Sequence, residues 1–316
     1  MAMIPSPRLV VSIGVLSSSL SSIFIRLSTA PPLAIATYRM LFATVMMAAL
    51  YLWPARPAAR GSGVGDQQYE KAQLPVRPSA GWTLRLLLLC LASGFFLALH
   101  FATWITSLSY TSIASSTVLV SLQPLFVLAG GALFLGERAS RRAIIFIAIT
   151  IAGCALLSFG DSQVGGHALS GDLLALLGAF FVAGYMLIGR VVRQTLSVRL
   201  YTVVVYGTAS LVLLAADAIL GVPLAPFPLR DWLLFAALAL VCTVLGHTLL
   251  NWSLKFLDTA YVSTLLLAEP LVASLLAVPL FGEVPEPLAI IGGAVTIVGL
   301  GFFVHADRRQ AARSVG

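Results

Sequence analysis

Two stretches of this sequence carry one pattern: residues 119–153 read LVSLQPLFVLAGGALFLGERASRRAIIFIAITIAG, and residues 265–299 read LLLAEPLVASLLAVPLFGEVPEPLAIIGGAVTIVG. A shift of 146 residues aligns 107–153 with 253–299 without a gap, and 15 of the 47 aligned pairs are identical. The identical pairs include proline, glycine and glutamate in one register: Pro124/Pro270, Gly136/Gly282 and Glu137/Glu283. The abundance of leucine and alanine does not produce such matches, so the pattern predicts an internal duplication.

The composition is that of a membrane protein. Of the 316 residues, 59% are hydrophobic and 10% are charged, and the mean hydropathy is +0.99. Soluble domains carry about 25% charged residues, and a chain of this length has no means of burying so much apolar surface in water. Apolar stretches of roughly 18 residues or more are typical of membrane-spanning helices. The sequence has ten, at about 9–27, 34–53, 84–107, 113–135, 142–159, 171–192, 200–220, 232–254, 259–281 and 287–304.

The duplicated unit contains five predicted helices, with residues 1–160 as the first repeat, 161–305 as the second and 306–316 as a tail. Because five is an odd number, the second copy enters the membrane from the opposite side. The predicted fold class is therefore an all-α polytopic membrane protein of ten transmembrane helices, arranged as two inverted five-helix repeats. Many secondary transporters are built in this way, with a solute site near the middle of the membrane between the repeats.

The basic residues predict how the chain is oriented. With a cytoplasmic N-terminus, 16 of the 19 Lys and Arg residues fall in cytoplasmic segments, as the positive-inside rule requires. Both termini are expected in the cytoplasm and the protein in the cell's inner (cytoplasmic) membrane, with residues 54–81 as a flexible cytoplasmic loop. The first apolar stretch is expected to remain as a signal-anchor helix. The pI of 9.7 then reflects anchoring charges that face anionic lipid, with no nucleic-acid partner.

Four ionisable residues lie well inside predicted spans: Arg39, His100, His247 and Glu269. A charge at the centre of a spanning helix costs about 2.5–3.5 kcal/mol on insertion scales, so each needs a partner or a wet cavity. Glu269 lies about 15 Å from the cytoplasmic end of its helix. It is expected to face an inner cavity, either as a group that titrates a proton or binds an ammonium, or as a structural hydrogen-bond acceptor. Arg39 either reaches outward to water, pairs with Glu269 or has another architectural role, or binds an anionic group such as a solute carboxylate.

Each copy of the repeat has a proline beside a polar residue in the middle of a span. Pro270 follows Glu269, and Pro124 follows Gln123 at the equivalent place. Proline removes a helical donor, and such a break is tolerated where the backbone is buried in protein or lines water. Pro124 and Pro270 are therefore candidate helix breaks or hinges. Gln123 is a candidate lining residue, which would make the cavity asymmetric in charge.

Two further spans each carry a polar face. His100 and Trp104 are four residues apart in the third span, and His247 and Asn251 are four apart in the eighth, so each pair shares a helix face. A lone buried histidine is usually a core residue. Two histidines on equivalent helices favour a cavity lining, and these four residues are candidates for contact with a solute.

Tyr38 and Tyr185 are candidate aromatic lining residues for a planar or cationic solute, with core packing or an interfacial belt as the alternative. No metal site or cofactor is expected. The three cysteines, Cys90, Cys154 and Cys242, are scattered over different spans, and no carboxylate completes a ligand set at a useful spacing.

The segments QPLFVLAGGALFLGE (123–137) and EPLVASLLAVPLFGE (269–283), with Pro32 and Arg39 in the second span, resemble the EamA family of the drug/metabolite transporter superfamily. The resemblance covers nearly the whole chain. It implies ten helices with both termini in the cytoplasm and the movement of small metabolites, and it points to export over import. It implies no particular solute, because relatives are associated with amino acids, nucleosides, vitamins and toxic organic cations.

We therefore expect a secondary transporter that moves amino-acid-like or amphipathic organic solutes by alternating access. The alternatives are a passive channel or facilitator, a nucleoside, vitamin or drug carrier of the same fold, and last a membrane enzyme. The sequence has no HExxH motif and no Walker sequence for nucleotide binding. Expected partners are a small-molecule solute and the lipid bilayer, with protons as a candidate coupling ion, and the oligomeric state is left open.

Overall fold

The computed structural model describes residues 6–53, 83–111, 116, 119–137, 140–159, 168–281 and 287–313, and every regular element within these ranges is helical. The helices are α1 (Pro7–Ser18), α2 (Ser21–Leu27), α3 (Pro32–Leu52), α4 (Leu84–Ser107), α5 (Gln123–Gly130), α6 (Arg141–Phe159), α7 (Ala168–Val192), α8 (Val198–Leu220), α9 (Leu229–Ala237), α10 (Thr248–Ser253), α11 (Thr259–Leu265), α12 (Glu269–Phe281) and α13 (Pro287–Arg313). The predicted loop 54–81 and Glu283 lie outside the described residues. α13 continues through most of the predicted tail.

Local sequence signals set several helix ends. Ser6, Thr83 and Ser197 each accept a hydrogen bond from the backbone N–H three residues further on, which caps α1, α4 and α8. Gly221, which ends α8, has a φ of 65°, and Gly136 has a φ of 68°. Glycine adopts this left-handed conformation without the steric cost that a side chain brings.

The helices identify a multi-pass membrane protein. Within the described ranges, six segments are long and apolar enough to cross a membrane: Pro7–Leu27, Pro32–Leu52, Leu84–Ser107, Leu169–Val192, Val198–Leu220 and Leu229–Ser253. Three shorter apolar stretches accompany them: Gln123–Leu135, Thr259–Ala273 and Ile290–Phe303. The predicted all-helical membrane class is confirmed, while the count of ten spans stays a prediction.

Several predicted spans are not continuous α-helices. Ser19 and Leu20 separate α1 from α2, and a π-helix over Gly131–Leu135 follows α5. A second π-helix, Leu238–His247, joins α9 to α10, and a 3₁₀ turn, Leu266–Ala268, joins α11 to α12. Such interruptions inside a helix are frequent at functional positions.

Glycine allows α6 and α13 to pack closely. A Cβ atom at Gly153 would lie 2.5 Å from the backbone nitrogen of Thr296, and one at Gly299 would lie 2.4 Å from Thr150 Oγ1. Small residues at helix contacts are typical of membrane proteins, where close backbone approach supplies the packing energy. Elsewhere α4 packs along α7, α3 along α8, and α1 against the second π-helix.

Side-chain hydrogen bonds identify which helix ends lie together. Arg199, at the start of α8, donates to the Leu50 carbonyl near the end of α3, so these ends share one side of the bundle. We call this side, with Glu137, Arg190 and the segment 254–258, the Arg190 end. Ser28, after α2, donates to Asp231 in the first turn of α9, and Thr111, after α4, donates to Asp172 near the start of α7. We call this opposite side the Asp231 end.

Candidate functional site

A charged site lies where α1, α2, α3, the second π-helix and α12 meet. Arg39 on α3 is fully buried. Its Nε donates to Thr243 Oγ1 at 2.8 Å, and its Nη1 donates to Ser21 Oγ at 2.8 Å. Glu269 is partly buried, and its Oε1 accepts a hydrogen bond from the Ser18 hydroxyl. These five residues are called the charged site below.

The two charges of this site are held by hydroxyl groups. Arg39 and Glu269 lie close enough to interact electrostatically, but the hydrogen bonds described above go to Ser18, Ser21 and Thr243. A hydroxyl satisfies the polar atoms of a buried charge without neutralising it. The site therefore holds a guanidinium and a carboxyl group inside the protein, each bonded to hydroxyls.

The serine-rich segment SSSLSS (17–22) explains why the first span breaks at this level. The Ser19 hydroxyl donates to the Val15 carbonyl at 2.7 Å, and such local bonds compete with the helical hydrogen-bond ladder. α1 ends at Ser18 and α2 begins at Ser21, so the two serines that hold the charges lie on opposite sides of the break.

The two predicted hinge prolines stand at helix starts. Glu269 and Gln123 are the first residues of α12 and α5, and Pro270 and Pro124 are the second. A proline is tolerated in the first turn because its missing N–H has no intrahelical partner there. A carboxylate at a helix N-terminus is also favoured by the helix dipole. Gln123 is buried, and Glu269 at the equivalent position is partly buried.

The predicted residues of the third and eighth spans come together with Tyr185. His100 stacks on Trp104 with ring centroids 5.7 Å apart, and His247 lies with its ring centroid 6.3 Å from that of Tyr185. Asn251 donates through Nδ2 to the Tyr185 hydroxyl. These five residues are called the aromatic cluster below.

Phe101 connects the charged site to the aromatic cluster. The Arg39 guanidinium carbon lies 4.2 Å from the centroid of the Phe101 ring, which is a cation–π contact. The same ring lies 4.9 Å from His100, 6.5 Å from Trp104 and 5.4 Å from His247, centroid to centroid. The Phe101 ring therefore packs against both groups of residues.

Tyr38 lies in a different group. Its hydroxyl donates to the Leu224 carbonyl at 2.6 Å, and its ring packs 5.0 Å from Phe235 and 4.7 Å from Trp232. Tyr38 precedes Arg39 in α3, and neighbouring residues point about 100° apart around a helix axis. The structure therefore brings Arg39, and not Tyr38, to the charged site.

Sequence reasoning missed Ser18, Ser21 and Phe101. The serine run was the available signal, because six consecutive positions with five hydroxyls are unusual in a spanning helix. Phe101 carried no such signal, since phenylalanine is common in apolar spans. Over the ranges that the structure describes, no three His, Cys, Asp or Glu side chains gather as metal ligands.

A cavity of about 250 Å³ lies at the Asp231 end. Its lining includes Ser22, Ile25, Ser28, Ile105 and Ser109. Ser22 is the neighbour of Ser21 in α2, and Ile105 follows Phe101 by one helical turn on α4. The cavity therefore extends from that end toward the charged site.

At the Arg190 end an ionic network joins several helix ends. Arg190 donates to Glu137 at 3.1 Å, to Asp258 at 3.2 Å and to the Leu254 carbonyl at 2.7 Å. Glu137 also accepts from the backbone N–H of Thr259 at 3.3 Å. This network ties the end of the first π-helix to α7, α10 and α11.

The chain is similar to known membrane transporters. The profile of the EamA-like transporter family matches residues 7–159 and 169–304. The "Pseudopaline exporter CntI" of Pseudomonas aeruginosa is 27% identical over 66% of this chain and 72% of its own length. The "Probable terminal-alkyne amino-acid exporter" of Streptantibioticus cattleyicolor is 28% identical over 72% and 75%. The "Probable amino-acid metabolite efflux pump" of Salmonella typhimurium is 28% identical over 64% and 71%.

A solved crystal structure shares the fold. It aligns with a TM-score of 0.74 and covers 96% of this chain and 99% of that chain. The sequence identity is 17%, so the comparison concerns the architecture alone. Nearly the whole of both chains follows one arrangement of helices.

Proposed function

The chain belongs to the EamA-like transporter family, and on this basis we propose that it is a secondary transporter that moves small, amino-acid-like metabolites across the cytoplasmic membrane by alternating access. The prediction of a transporter rather than an enzyme is confirmed by the family and its named relatives. The observation that carries the specific proposal is the charged site, where a guanidinium and a carboxylate are held by hydroxyls inside the protein.

The proposed solute matches that pair of charges. The α-ammonium of an amino acid binds Glu269, and its carboxylate binds Arg39, whose planar guanidinium suits a carboxylate. The names of two relatives concern amino acids or their metabolites, and both describe outward movement. We therefore propose export, with Glu269 taking up a proton when the ammonium leaves. That exchange makes the proton the coupling ion.

The proposed architecture is ten helices in two inverted repeats, 1–160 and 161–305. Support comes from the contact between α6 and α13. Gly153 packs on Thr296, and Gly299 packs on Thr150, and both residues of the second contact are related to those of the first by the 146-residue shift. A reciprocal contact of this kind is what a two-fold axis between equivalent helices produces. Alternating access follows when one repeat rocks against the other around the site.

The proposed orientation places the Arg190 end in the cytoplasm. That end carries Arg190, Arg193, Arg199 and Lys255, whereas Arg26 and Arg230 lie at the Asp231 end. Cytoplasmic ends of spans carry an excess of Lys and Arg. The cavity at the Asp231 end would then open to the outside, while the network at the Arg190 end closes the cytoplasmic side.

The test is transport by purified protein in proteoliposomes loaded with a panel of labelled amino acids. We expect wild-type protein to release at least one of them, faster when the outside is acidic. Glu269→Gln should remove the response to the pH gradient, and Arg39→Gln should reduce transport by at least about tenfold, because a hydrogen bond to a charged group contributes about 1.5–3 kcal/mol.

Asp172→Asn is the matched control, because Asp172 accepts from Thr111 at the Asp231 end, away from the charged site. It should retain both rate and pH response. A Glu269→Gln protein with an unchanged rate and pH response would contradict the role of Glu269. If the rate of transport by wild-type protein does not depend on the pH gradient, the protein is a facilitator and not a proton-coupled carrier.

A further inference from the structure

The cavity at the Asp231 end is lined by hydrophilic residues at the protein surface and by aliphatic residues deeper in the bundle. Arg26 and Ser109 line it and are exposed. Ile25, Ile35 and Ile105 line the same cavity and are all buried. The cavity therefore has a hydrophilic mouth and an aliphatic inner wall.

Each of these isoleucines lies one helical turn from Arg39 or from a residue that contacts Arg39. In three different helices the separation is four residues: Ile25 from Ser21 in α2, Ile35 from Arg39 in α3, and Ile105 from Phe101 in α4. Ser21 accepts a hydrogen bond from Arg39, and the Phe101 ring packs against the guanidinium. Residues four apart share a helix face and lie about 6 Å apart along the helix axis.

In all three helices the isoleucine lies on the side of Arg39 that faces the Asp231 end. α2 runs toward Ser28, whose hydroxyl donates to Asp231, and α4 runs toward Thr111 at the same end. α3 runs the other way, so Ile35, which precedes Arg39 in the chain, is also nearer to the Asp231 end. The three side chains therefore lie between the charged site and the cavity, and they are called the isoleucine layer below.

A layer of aliphatic side chains is a barrier to water and to polar solutes. Isoleucine side chains offer no hydrogen bond, so a polar group that passes between them loses its hydration without compensation. Channels close by the same means, when a hydrophobic constriction loses its water. Arg39, on the inner side of the layer, is fully buried, whereas Arg26, at the mouth of the cavity, is exposed.

We propose that the isoleucine layer is the outer gate of the transport path. In the closed state it separates the charged site from the cavity, and it parts when the solute moves from one to the other. This inference rests on the proposed function, in which the solute leaves at the Asp231 end. The charged site is then closed on both sides, by the isoleucine layer and by the ionic network at the Arg190 end.

A native thiol reports on the gate. Cys242 is fully buried, and its side chain interacts with Ser21 and with the charge of Arg39. Cys90→Ala and Cys154→Ala leave it as the only thiol of the chain. The probe is a membrane-impermeant methanethiosulfonate that carries a sulfonate group, applied to the outer face of intact cells, and the measurement is its rate of reaction with Cys242.

The decisive comparison is Ile105→Thr with Ile105→Val. Threonine and valine have the same shape, so both variants remove the same volume and only threonine adds a hydroxyl. We expect Cys242 to react at least about fivefold faster in Ile105→Thr than in Ile105→Val, because a hydroxyl lowers the cost of wetting the layer. Ile35→Thr and Ile35→Val should differ in the same direction. Ile145→Thr is the control, since Ile145 is exposed on α6, and it should keep the rate of the parent protein.

The outcomes separate the gate from the proposed function. Equal rates for the threonine and valine variants would overturn the gate, and so would an equal acceleration when the probe is applied to the cytoplasmic face in inverted membrane vesicles. Rapid reaction of Cys242 in the parent protein from the outer face would also overturn it, because the charged site would already be open. The labelling requires no solute, so its failure differs from a failure of the proposed function, which is an absence of amino-acid exchange in proteoliposomes.

Discussion

A carboxylate inside a membrane is tolerated only where other groups replace the water that it has lost. For Glu269 the Ser18 hydroxyl is one such group, and for Arg39 the hydroxyls of Ser21 and Thr243 serve the same purpose. In the proposed mechanism these hydroxyls hold the charges in place and leave them available to a solute. At the scale of single residues, the proposed function therefore requires serines as much as charges.

Ser18→Ala is expected to reduce transport roughly 10- to 100-fold. It removes a hydrogen bond to a charged group, which contributes about 1.5–3 kcal/mol, and each 1.36 kcal/mol is about a tenfold change in rate. Ser18→Thr, which restores the hydroxyl, should recover most of the activity. The measurement is amino-acid exchange in proteoliposomes at equal protein content.

Ser12→Ala is the control on the same helix. Ser12 is exposed, and its hydroxyl donates to the Arg8 carbonyl at 2.9 Å, so its loss should leave exchange unchanged. An effect of Ser12→Ala as large as that of Ser18→Ala would mean that the serines act through the stability of α1 and not through Glu269.

The charged residues were predictable because a charge in an apolar run has few structural reasons to be there. Glu269, Arg39 and the two histidines stand out in the sequence for that reason. Ser18 and Ser21 do not, since serine is accepted in spanning helices and its partners depend on tertiary packing. Tyr38 shows the converse: an aromatic residue beside Arg39 packs in a separate group, and only the rotation of the helix decides which of the two faces the site.

Helix interruptions are the main feature at the scale of elements. The sequence predicted interruptions at Pro124 and Pro270, and helices begin there. It did not predict the π-helices Gly131–Leu135 and Leu238–His247. Over so few turns an α-helix and a π-helix have nearly the same pattern of apolar residues, so the sequence does not distinguish them.

Gly299→Ala is expected to destabilise the protein by about 1–3 kcal/mol, the usual cost of overpacking. Its new Cβ would lie 2.4 Å from Thr150 Oγ1 and 2.9 Å from the Thr150 backbone nitrogen, so α6 and α13 would have to separate. The measurement is the midpoint of thermal unfolding in detergent.

Gly301→Ala, two residues further along α13, is the matched control, because a Cβ there meets nothing within 4 Å. It should be neutral or slightly stabilising, since alanine is the better helix former. Equal destabilisation by both changes would show that glycine at these positions matters for reasons other than the contact with α6.

At the scale of the whole molecule, the two ends differ. The Asp231 end has the cavity of about 250 Å³, and the Arg190 end has the ionic network. In an alternating-access cycle the network has to open to admit a solute from that side. Glu137 is 16% exposed and Arg190 is 23% exposed, whereas Asp258 is 69% exposed.

Arg190→Gln is therefore expected to open the Arg190 end more often. A buried reporter, Ser263→Cys on α11, should react several-fold faster with a membrane-impermeant thiol reagent applied to that end when Arg190→Gln is also present. Asp258→Asn should change the rate little, because an exposed ion pair contributes about 0–1 kcal/mol. A rate unaffected by Arg190→Gln would exclude the network as a closure.

The presence of one guanidinium and one carboxyl group at the charged site has an electrical consequence for the proposed proton exchange. In that exchange the site with a bound zwitterion would be neutral, and the returning site, with a proton on Glu269, would bear the single positive charge of Arg39. A potential that is negative inside thus acts on the returning form alone, with up to about 2.3 kcal/mol for each 100 mV that the charge crosses. Imposing that potential with valinomycin and a potassium gradient should accelerate export. The membrane potential of the cell would then help to drive the solute out of the cytoplasm.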